Sequence, residues 1–407
     1  MKLSIHPVPV RIPGFQFAGV SCGLKESGGR DVALIYSDVP AAAAAAFTTN
    51  RVKAAPVLIG MERAVAGRLQ AVIINSGNAN AFTGRGGLAM AREMCAVVSR
   101  ELHIDQAVVI PSSTGRIGVP LPRERVLEGV RAACRALSPD AFHEALEGMM
   151  TTDAFPKFAT EAVTVGRRSV TVAGMTKGAG MIAPRMALAK HATNLTYVLT
   201  DAAAFPSALR RMLQVALPHS FNAIVVDGDT STNDTIVLMA NGMAGNTPVA
   251  PGSRDFSRLC DAVARVMQRL ARLVVKDGEG ATKVVDVKIE GARSARDAAC
   301  AAETIARSPL CKTAFFGSDP YTGRVVCALG YSGAVFDPEK IDVYFDGVQV
   351  VRRGREIVGE IEERAAAVTR QPEFAVRINL HAGSASACRI TSDLSVDYVR
   401  FNSDYRT

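Results

Sequence analysis

The chain has 407 residues, 48% of them apolar and 21% charged. That is ordinary globular composition, long enough for two domains or one two-lobed unit and far from that of a disordered chain. The net charge of +8 is spread in ones and twos (Arg167-Arg168, Arg210-Arg211, Arg352-Arg353), with no tryptophan and seven tyrosines, so no concentrated basic patch or stacking platform points to nucleic acid.

The apolar runs are too short to span a bilayer, and the opening MKLSIHPVPVRIPGF puts prolines where a signal-peptide core would stand. A cytoplasmic location with no membrane partner is the expectation. Eight cysteines contain no C-x-x-C pair and six histidines no metal spacing. This argues against a zinc knuckle or disulfide framework, and reduced thiols with no bound metal are expected.

In chain order, AGVSCGL, VALIYS, APVLIG and LQAVIINSG read as short strands between turns, with the alanine run 41–46 as the one low-complexity stretch. GLAMAREMCAVVSREL reads as a helix. AVVIPSSTG is a strand entering a glycine-rich loop, and a helix over roughly 138–150 ends in MTTDAFPK. The strand SVTVAGMTK, the helix AAFPSALRRMLQVAL and the strand FNAIVVDGD follow. DFSRLCDAVARVMQRLARLVVKDGEG then carries apolar residues at helical spacing. KVVDVKIEGA, IDVYFDGVQVV, FAVRINL and VDYVRFN read as strands. Strands and helices interleave, yet several strands are consecutive, so the fold class is α/β with α+β layering rather than a pure βαβ array.

Loops dense in small and hydroxyl residues follow many of these elements: NSGNANAFTG (75–84), PSSTGRIG (111–118), MTTDAFPK (150–157), KGAGMI (177–182), VDGDTSTND (226–234), DGEGATK (277–283) and NSDYRT (402–407). Each alone reads first as a turn or a cap. KGAGMI lacks the second half of G-x-G-x-x-G, and DGEGATK is not a P-loop, so nucleotide binding has little support.

Together, and in this order, these loops resemble the ornithine acetyltransferases, the bifunctional glutamate N-acetyltransferases of arginine biosynthesis. NSGNANA, STGRIG, MTTD-x-FPK, GM-x-KG-x-GMI-x-P, SFN-x-x-x-VDGDTSTNDT, DGEGATK, KTA-x-FG-x-DP and DYV-x-x-N-x-DYRT carry the resemblance, which runs from FTTNRVKAAPV (47–57) to the last residue. It implies a two-lobed, N-terminal-nucleophile-like sandwich assembled from two cleaved chains, whose second chain begins at a threonine. A threonine hydroxyl needs a base beside it, and a freed α-amine, with a pKa of about 7.7–8.0, supplies one.

The family's pattern runs from the proline of GMI-x-P through Asn, Met and Ala straight to that threonine. Here Pro184 is followed by Arg185-Met186-Ala187-Leu188, and leucine is no nucleophile. Counting back eight residues from Asp201 gives Thr193, preceded by Ala192, with the extra residues somewhere in 185–191. The resemblance therefore implies cleavage at Ala192-Thr193 into 1–192 and 193–407, with Thr193 as nucleophile.

It further implies Thr114 (hydroxyl) and Gly115 (N–H) as the oxyanion pair, such donors contributing ~3–4 kcal/mol each. Thr152, Lys177, Thr193, Glu279, Asn402 and Thr407 are implied as substrate contacts. Lys177 suits a carboxylate and Glu279 an ammonium, although an isolated Lys or Glu reads first as a solvated surface charge. The expected reaction passes acetyl from N-acetylornithine to glutamate through an acetyl-threonine, with no cofactor and with acetyl-CoA as an alternative donor. The two cleaved chains are expected to pair into a heterotetramer.

Departures from the pattern keep alternatives open. DPYTGR (319–324) stands for DPNWGR, RITSDLSVDYV (389–399) replaces a Trp-Thr-Cys stretch, and Arg185 stands where Asn is expected. A related self-processing acyltransferase or hydrolase acting on a different amine is one alternative. An uncleaved, non-catalytic binding relative is the other.

Overall fold

A computed structural model describes residues 10–184, 186–187 and 195–404. Among these, nine strands form one sheet. Its main path runs Val109–Arg116, Arg68–Asn78, Val32–Thr48, Thr235–Ala240, Leu195–Thr200, Arg168–Lys177, Lys157–Val165, while Phe15–Val20 and the two-residue Met186–Ala187 pair with Val32–Thr48. A second, seven-stranded sheet runs Arg355–Glu356, Val348–Arg352, Asp342–Phe345, Glu373–Asn379, Val284–Ala292, Ala385–Ser392, Ile224–Val225. The expected α/β layered, two-lobed architecture agrees with this.

Both faces of the first sheet are buried, and period-2 alternation sorts its side chains between them. Ala44, Ala46, Val172, Val198, Ile236 and Leu238 face the helices Pro206–Ala216 and Arg254–Lys276. Ala43, Ala45, Ala173, Tyr197, Val237 and Met239 face Ala55–Ala64 and Phe142–Met149. The helices Gly84–Leu102 and Arg123–Arg135 cover Leu34, Ile73 and Val109 near the far edge.

The helix Arg254–Lys276 is shared between the sheets, since its core also takes in Ile224 and Val284 of the second sheet. Ser253 caps it by accepting from the Phe256 amide at 3.1 Å, and Asp255 and Lys276 suit its dipole at either end. Its C-terminus delivers Asp277 and the DGEG loop to the first sheet. Beyond the second sheet, the helix Ala295–Arg307 closes a third core with Ile289, Val343 and Val376.

Four sequence readings need correction. APVLIG is the start of the helix Ala55–Ala64, with Pro56 in its first turn; a short apolar run does not distinguish a buried helix from a strand. VDYVRFN lies in the helix Val396–Asp404, where Ser395 accepts from the Tyr398 amide and acts as a cap, and its apolar residues stay exposed. The alanine run is the interior of a 17-residue strand, its small side chains admitting helices on both faces. FNAIVVDGD holds only the two-residue strand Ile224–Val225 behind a helical turn at Phe221–Ala223.

The halves 1–192 and 193–407 are not spatial lobes. Leu195–Thr200 and Thr235–Ala240, both from the second half, lie side by side between Val32–Thr48 and Arg168–Lys177 of the first.

Leu270 is fully buried where the long helix meets the sheet. Leu270→Ala is expected to lower unfolding free energy by about 2–5 kcal/mol, read as a fall in the urea midpoint at unchanged slope.

Candidate functional site

Register brings three strand ends together. Lys177, the last residue of its strand, pairs with Leu195, the first of its own, and Leu195 pairs with Thr235. The end of Val109–Arg116 is tied to them by Asn233, which donates to the Ser113 carbonyl at 2.8 Å and to the Ala79 carbonyl at 2.5 Å. Ser113 in turn donates to Asn75 at 2.6 Å. Around this junction lies a pocket lined among others by Thr114, Gly115, Thr152, Lys177, Glu279 and Asn402. These are all the implied site residues that fall within the described part of the chain. Ala192, Thr193 and Thr407 lie outside the described residues.

Lys177 is not a solvated surface charge. It is 8% exposed, and its ammonium donates to Thr151 Oγ1 at 2.7 Å and Thr114 Oγ1 at 3.0 Å. Asp153 Oδ2 stands 4.0 Å away. Because the Thr114 oxygen accepts from an ammonium, its own hydroxyl proton is left to point elsewhere, as an oxyanion donor requires. Burial pushes the Lys177 pKa down, and the Asp153 charge works against that fall. Gly115 has φ +125° and lies so close to Gly77 and Asn78 that a side chain would collide with their backbone; glycine is the residue this approach admits.

Carboxylates share the same lining. Glu279 is buried, accepts from Asn402 Nδ2 at 3.0 Å and is held by its amide on the Ala179 carbonyl at 3.0 Å. Gly180 packs against the Glu279 carboxylate, where any Cβ would collide with it. Asp227 accepts from the Met181 amide at 2.6 Å, the Ile182 amide at 2.8 Å and the Asp229 amide at 3.1 Å. Burial raises its pKa and these amides partly counter the rise. Tyr398 also lines the pocket, its hydroxyl pushed up to about 12 by burial and by Asp227, Glu279 and Asp229.

The pocket thus carries a cation with hydroxyls and, in the same lining, carboxylates. An α-amino acid, or a diamine acid with one acylated nitrogen, matches that polarity.

Sequence reasoning missed Thr151, Asp153, Asp227 and Asp229. Thr151 and Asp153 flank Thr152 in MTTD, and the position of that segment between the helix Phe142–Met149 and the strand Lys157–Val165 was the available signal. VDGDTSTND reads from sequence as structural support; it is that, through Asn233 and Asp227, and it also lines the pocket.

Of the departures, Tyr321 in DPYTGR is 54% exposed and starts the helix Thr322–Gly330 away from the pocket lining. The 389–399 segment instead bonds the DGEGATK loop that carries Glu279. Asp393 accepts from the Thr282 and Lys283 amides at 2.8 and 3.0 Å, and Ser395 donates to the Gly280 carbonyl at 2.6 Å. Among the described residues no helix is long and apolar enough to cross a membrane, and the eight cysteines stand as free thiols.

Comparison with known proteins agrees with the geometry. A family model described as the ArgJ family matches residues 16–407. The arginine biosynthesis bifunctional protein ArgJ of Geobacter sulfurreducens is 47% identical over 398 residues, covering 98% of this chain and the whole of the relative. The protein of the same name from Symbiobacterium thermophilum is 47% identical over 396 residues, covering 97% of each. The crystal structure of the arginine biosynthesis bifunctional protein ArgJ from Bacillus halodurans aligns with a TM-score of 0.50 and 36% identity, over 51% of this chain and 98% of that one. The expectation of an acyl-transferring enzyme of arginine biosynthesis agrees with these relatives.

Asp227→Asn keeps the side chain's shape but turns one acceptor toward the Met181 or Ile182 amide into a donor. The expected cost is about 1–3 kcal/mol, measured as a lower urea midpoint with the chain still folded.

Proposed function

We propose, from the premise that this chain belongs to the ArgJ family, that its pocket transfers acetyl from N-acetylornithine to the α-amine of glutamate through an ester on Thr193. The observation that carries this reading is the make-up of the pocket. Thr114, Gly115 and Lys177 come from one side of the Ala192-Thr193 bond, and Glu279 and Asn402 from the other. Leu195, two residues after Thr193, also lines it. Two residues span at most about 7 Å of extended chain, so a nucleophile at 193 is tethered within reach.

In the proposed cycle Thr193 Oγ first attacks the Ala192 carbonyl, the amide nitrogen takes a proton and leaves as the Thr193 α-amine, and water hydrolyses the resulting ester, leaving 1–192 and 193–407. The Bacillus halodurans chain supports a split, because 98% of it aligns with only 51% of this chain. Thr193 Oγ then attacks the acetyl carbonyl while the Thr193 α-amine takes the hydroxyl proton. The Thr114 hydroxyl and the Gly115 N–H hold the developing oxyanion, and the nearby Lys177 ammonium strengthens the Thr114 donor. The leaving α-nitrogen of ornithine receives the proton. Glutamate then occupies the same pocket, its amine attacks the ester, and N-acetylglutamate departs with Thr193 restored.

Lys177 and the Thr151 and Thr152 hydroxyls receive a carboxylate of either substrate. Glu279, Asp227 and Asp229 are the carboxylates suited to the ornithine side-chain ammonium. We place the enzyme in the cytoplasm as paired cleaved chains, working without a bound cofactor.

Intact-mass measurement tests the first step. Wild type is expected as two fragments meeting between residues 192 and 193, and Thr193→Ala as one uncut chain. An uncut wild-type chain rules out the self-cleaving cycle. Acetate released with no acetylglutamate formed would replace transfer by hydrolysis. Thr114→Val, assayed after cleavage, is expected to lower kcat about 10²–10³-fold with a smaller change in KM.

A further inference from the structure

Beside the pocket, and used by the cycle above only at its Lys177 end, lies a buried chain of charges. Lys157 is 0% exposed at its side chain and bonds Asp153 Oδ1 at 2.5 Å, an aspartate that is equally sealed. On its other side Lys157 bonds Asp277, 2% exposed, from the C-terminus of the long helix. Asp277 also accepts from the Ala154 amide at 3.1 Å, and Asp153 accepts from the Gly178 amide at 2.7 Å. Asp153 then faces Lys177 at 4.0 Å. The order is carboxylate, ammonium, carboxylate, ammonium, and the two signs balance. Three of the four groups belong to the first half of the chain, and only Asp277 belongs to the second.

We propose that Asp277 is a positioning residue for Lys177. By neutralising Lys157 it leaves Asp153 to hold the Lys177 ammonium in the pocket, so that a charged substrate-binding lysine on the first half depends on the second half being docked. The inference rests on the reading of Lys177 as the carboxylate contact.

The physical case is one of charge count in a dry place. Without Asp277, Asp153 alone would stand between the two ammoniums, and a buried ammonium that must share its nearest carboxylate gives up its proton more readily. Lys157 is the more deeply buried and sits 2.5 Å from Asp153, so it retains the shared carboxylate. Lys177, at the pocket wall, is the group left to deprotonate. The other charged groups acting on Lys177 are Glu279, Asp234 and Lys25. Glu279 and Asp234 favour its charged form and Lys25 opposes it, and none of the three changes when Asp277 is replaced. Burial already holds Lys177 below its ordinary pKa, which places it where a lost neighbour has an effect. Asp277 is itself raised to about 6, by burial first and against the pull of Lys157, and is therefore ionised at neutral pH.

The test compares mature wild type, Asp277→Asn and the double variant Lys157→Met/Asp277→Asn, following the Lys177 side-chain nitrogen by NMR with pH. Asp277→Asn is expected to move the Lys177 titration down by about one unit, a tenfold change in its proton equilibrium. The double variant removes one charge of each sign and is expected to return the titration to the wild-type position. In acetyl-transfer assays, KM for glutamate in Asp277→Asn is expected to rise roughly tenfold on the alkaline side, and kcat to fall over the same pH range as the neutral Lys177 ceases to strengthen the Thr114 donor.

A Lys177 titration that does not move in Asp277→Asn overturns the proposal, as does one that the double variant fails to restore. A fall in stability with the wild-type pH profile would reduce Asp277 to a structural role and overturn it too. Should Asp277→Asn not fold, the double variant decides: a wild-type Lys177 titration supports the balance, and a shifted one refutes it. The NMR readout does not depend on turnover, so an enzyme that proved not to use glutamate would fail the assay arm alone.

Discussion

The arrangement of the site depends on one insertion: the strand Leu195–Thr200 lies between Arg168–Lys177 and Thr235–Ala240, hydrogen-bonded to both. Each backbone hydrogen bond contributes only about 0.5–1.5 kcal/mol net. A strand bonded along both edges cannot leave without exposing two ladders, together with the core that Val198 and Leu199 enter on opposite faces. Parallel pairing on one side and antiparallel pairing on the other also fix where the ends fall. Lys177, Leu195 and Thr235 meet, and whatever precedes Leu195 starts from the pocket wall. A cut just upstream of that strand would therefore leave the sheet intact and the new terminus beside the site, which is what a self-made nucleophile needs.

The pocket's polarity follows from the loops that close this junction. The Lys177 ammonium is bonded to two threonine hydroxyls, with the Asp153 carboxylate 4.0 Å away. Glu279 is held by Asn402 and by its own amide, and Asp227 by three backbone amides. Amides orient a carboxylate without neutralising it. Both signs of charge are thus presented in a partly desolvated space, where electrostatic contacts are stronger than in water.

What was legible in the sequence was the set of loops; what was not was their neighbours in space. Lys177 and Glu279 could be singled out only as members of ordered motifs, because an isolated lysine or glutamate carries no sign that it will be buried. The Asp153–Lys157–Asp277 chain could not be read at all. Asp277 lies 123 residues from Ala154, the neighbour of Asp153 whose amide it accepts, and only the packing of the long helix on the sheet brings them together. The misread elements failed for local reasons. APVLIG is short and apolar enough for either period, and VDYVRFN alternates like a strand although its cap and its bond to Glu279 make it a helix. Thr151 and Thr152 are adjacent hydroxyls in one loop, and nothing but the strand register decides which one meets the lysine.

The same geometry ranks the departures from the family's pattern by consequence. DPYTGR sits on an exposed helix start, where Thr322 bonds Glu356 at 2.7 Å and Arg324 reaches the Leu310 carbonyl at 3.0 Å. These bonds close within the second lobe and do not reach the pocket. The 389–399 stretch is different, since Asp393 and Ser395 carry the backbone of the DGEG loop and Tyr398 reaches the lining itself. Lys312 anchors that stretch from behind, buried and bonded to Thr391 and Ser392 at 3.0 and 3.1 Å. Substitutions here act through Glu279, Tyr398 and Asn402, and through the Glu279 charge they also bear on Lys177. Drift in this stretch therefore bears on the carboxylates of the pocket and, through them, on its lysine, whereas drift in DPYTGR leaves the lining as it is.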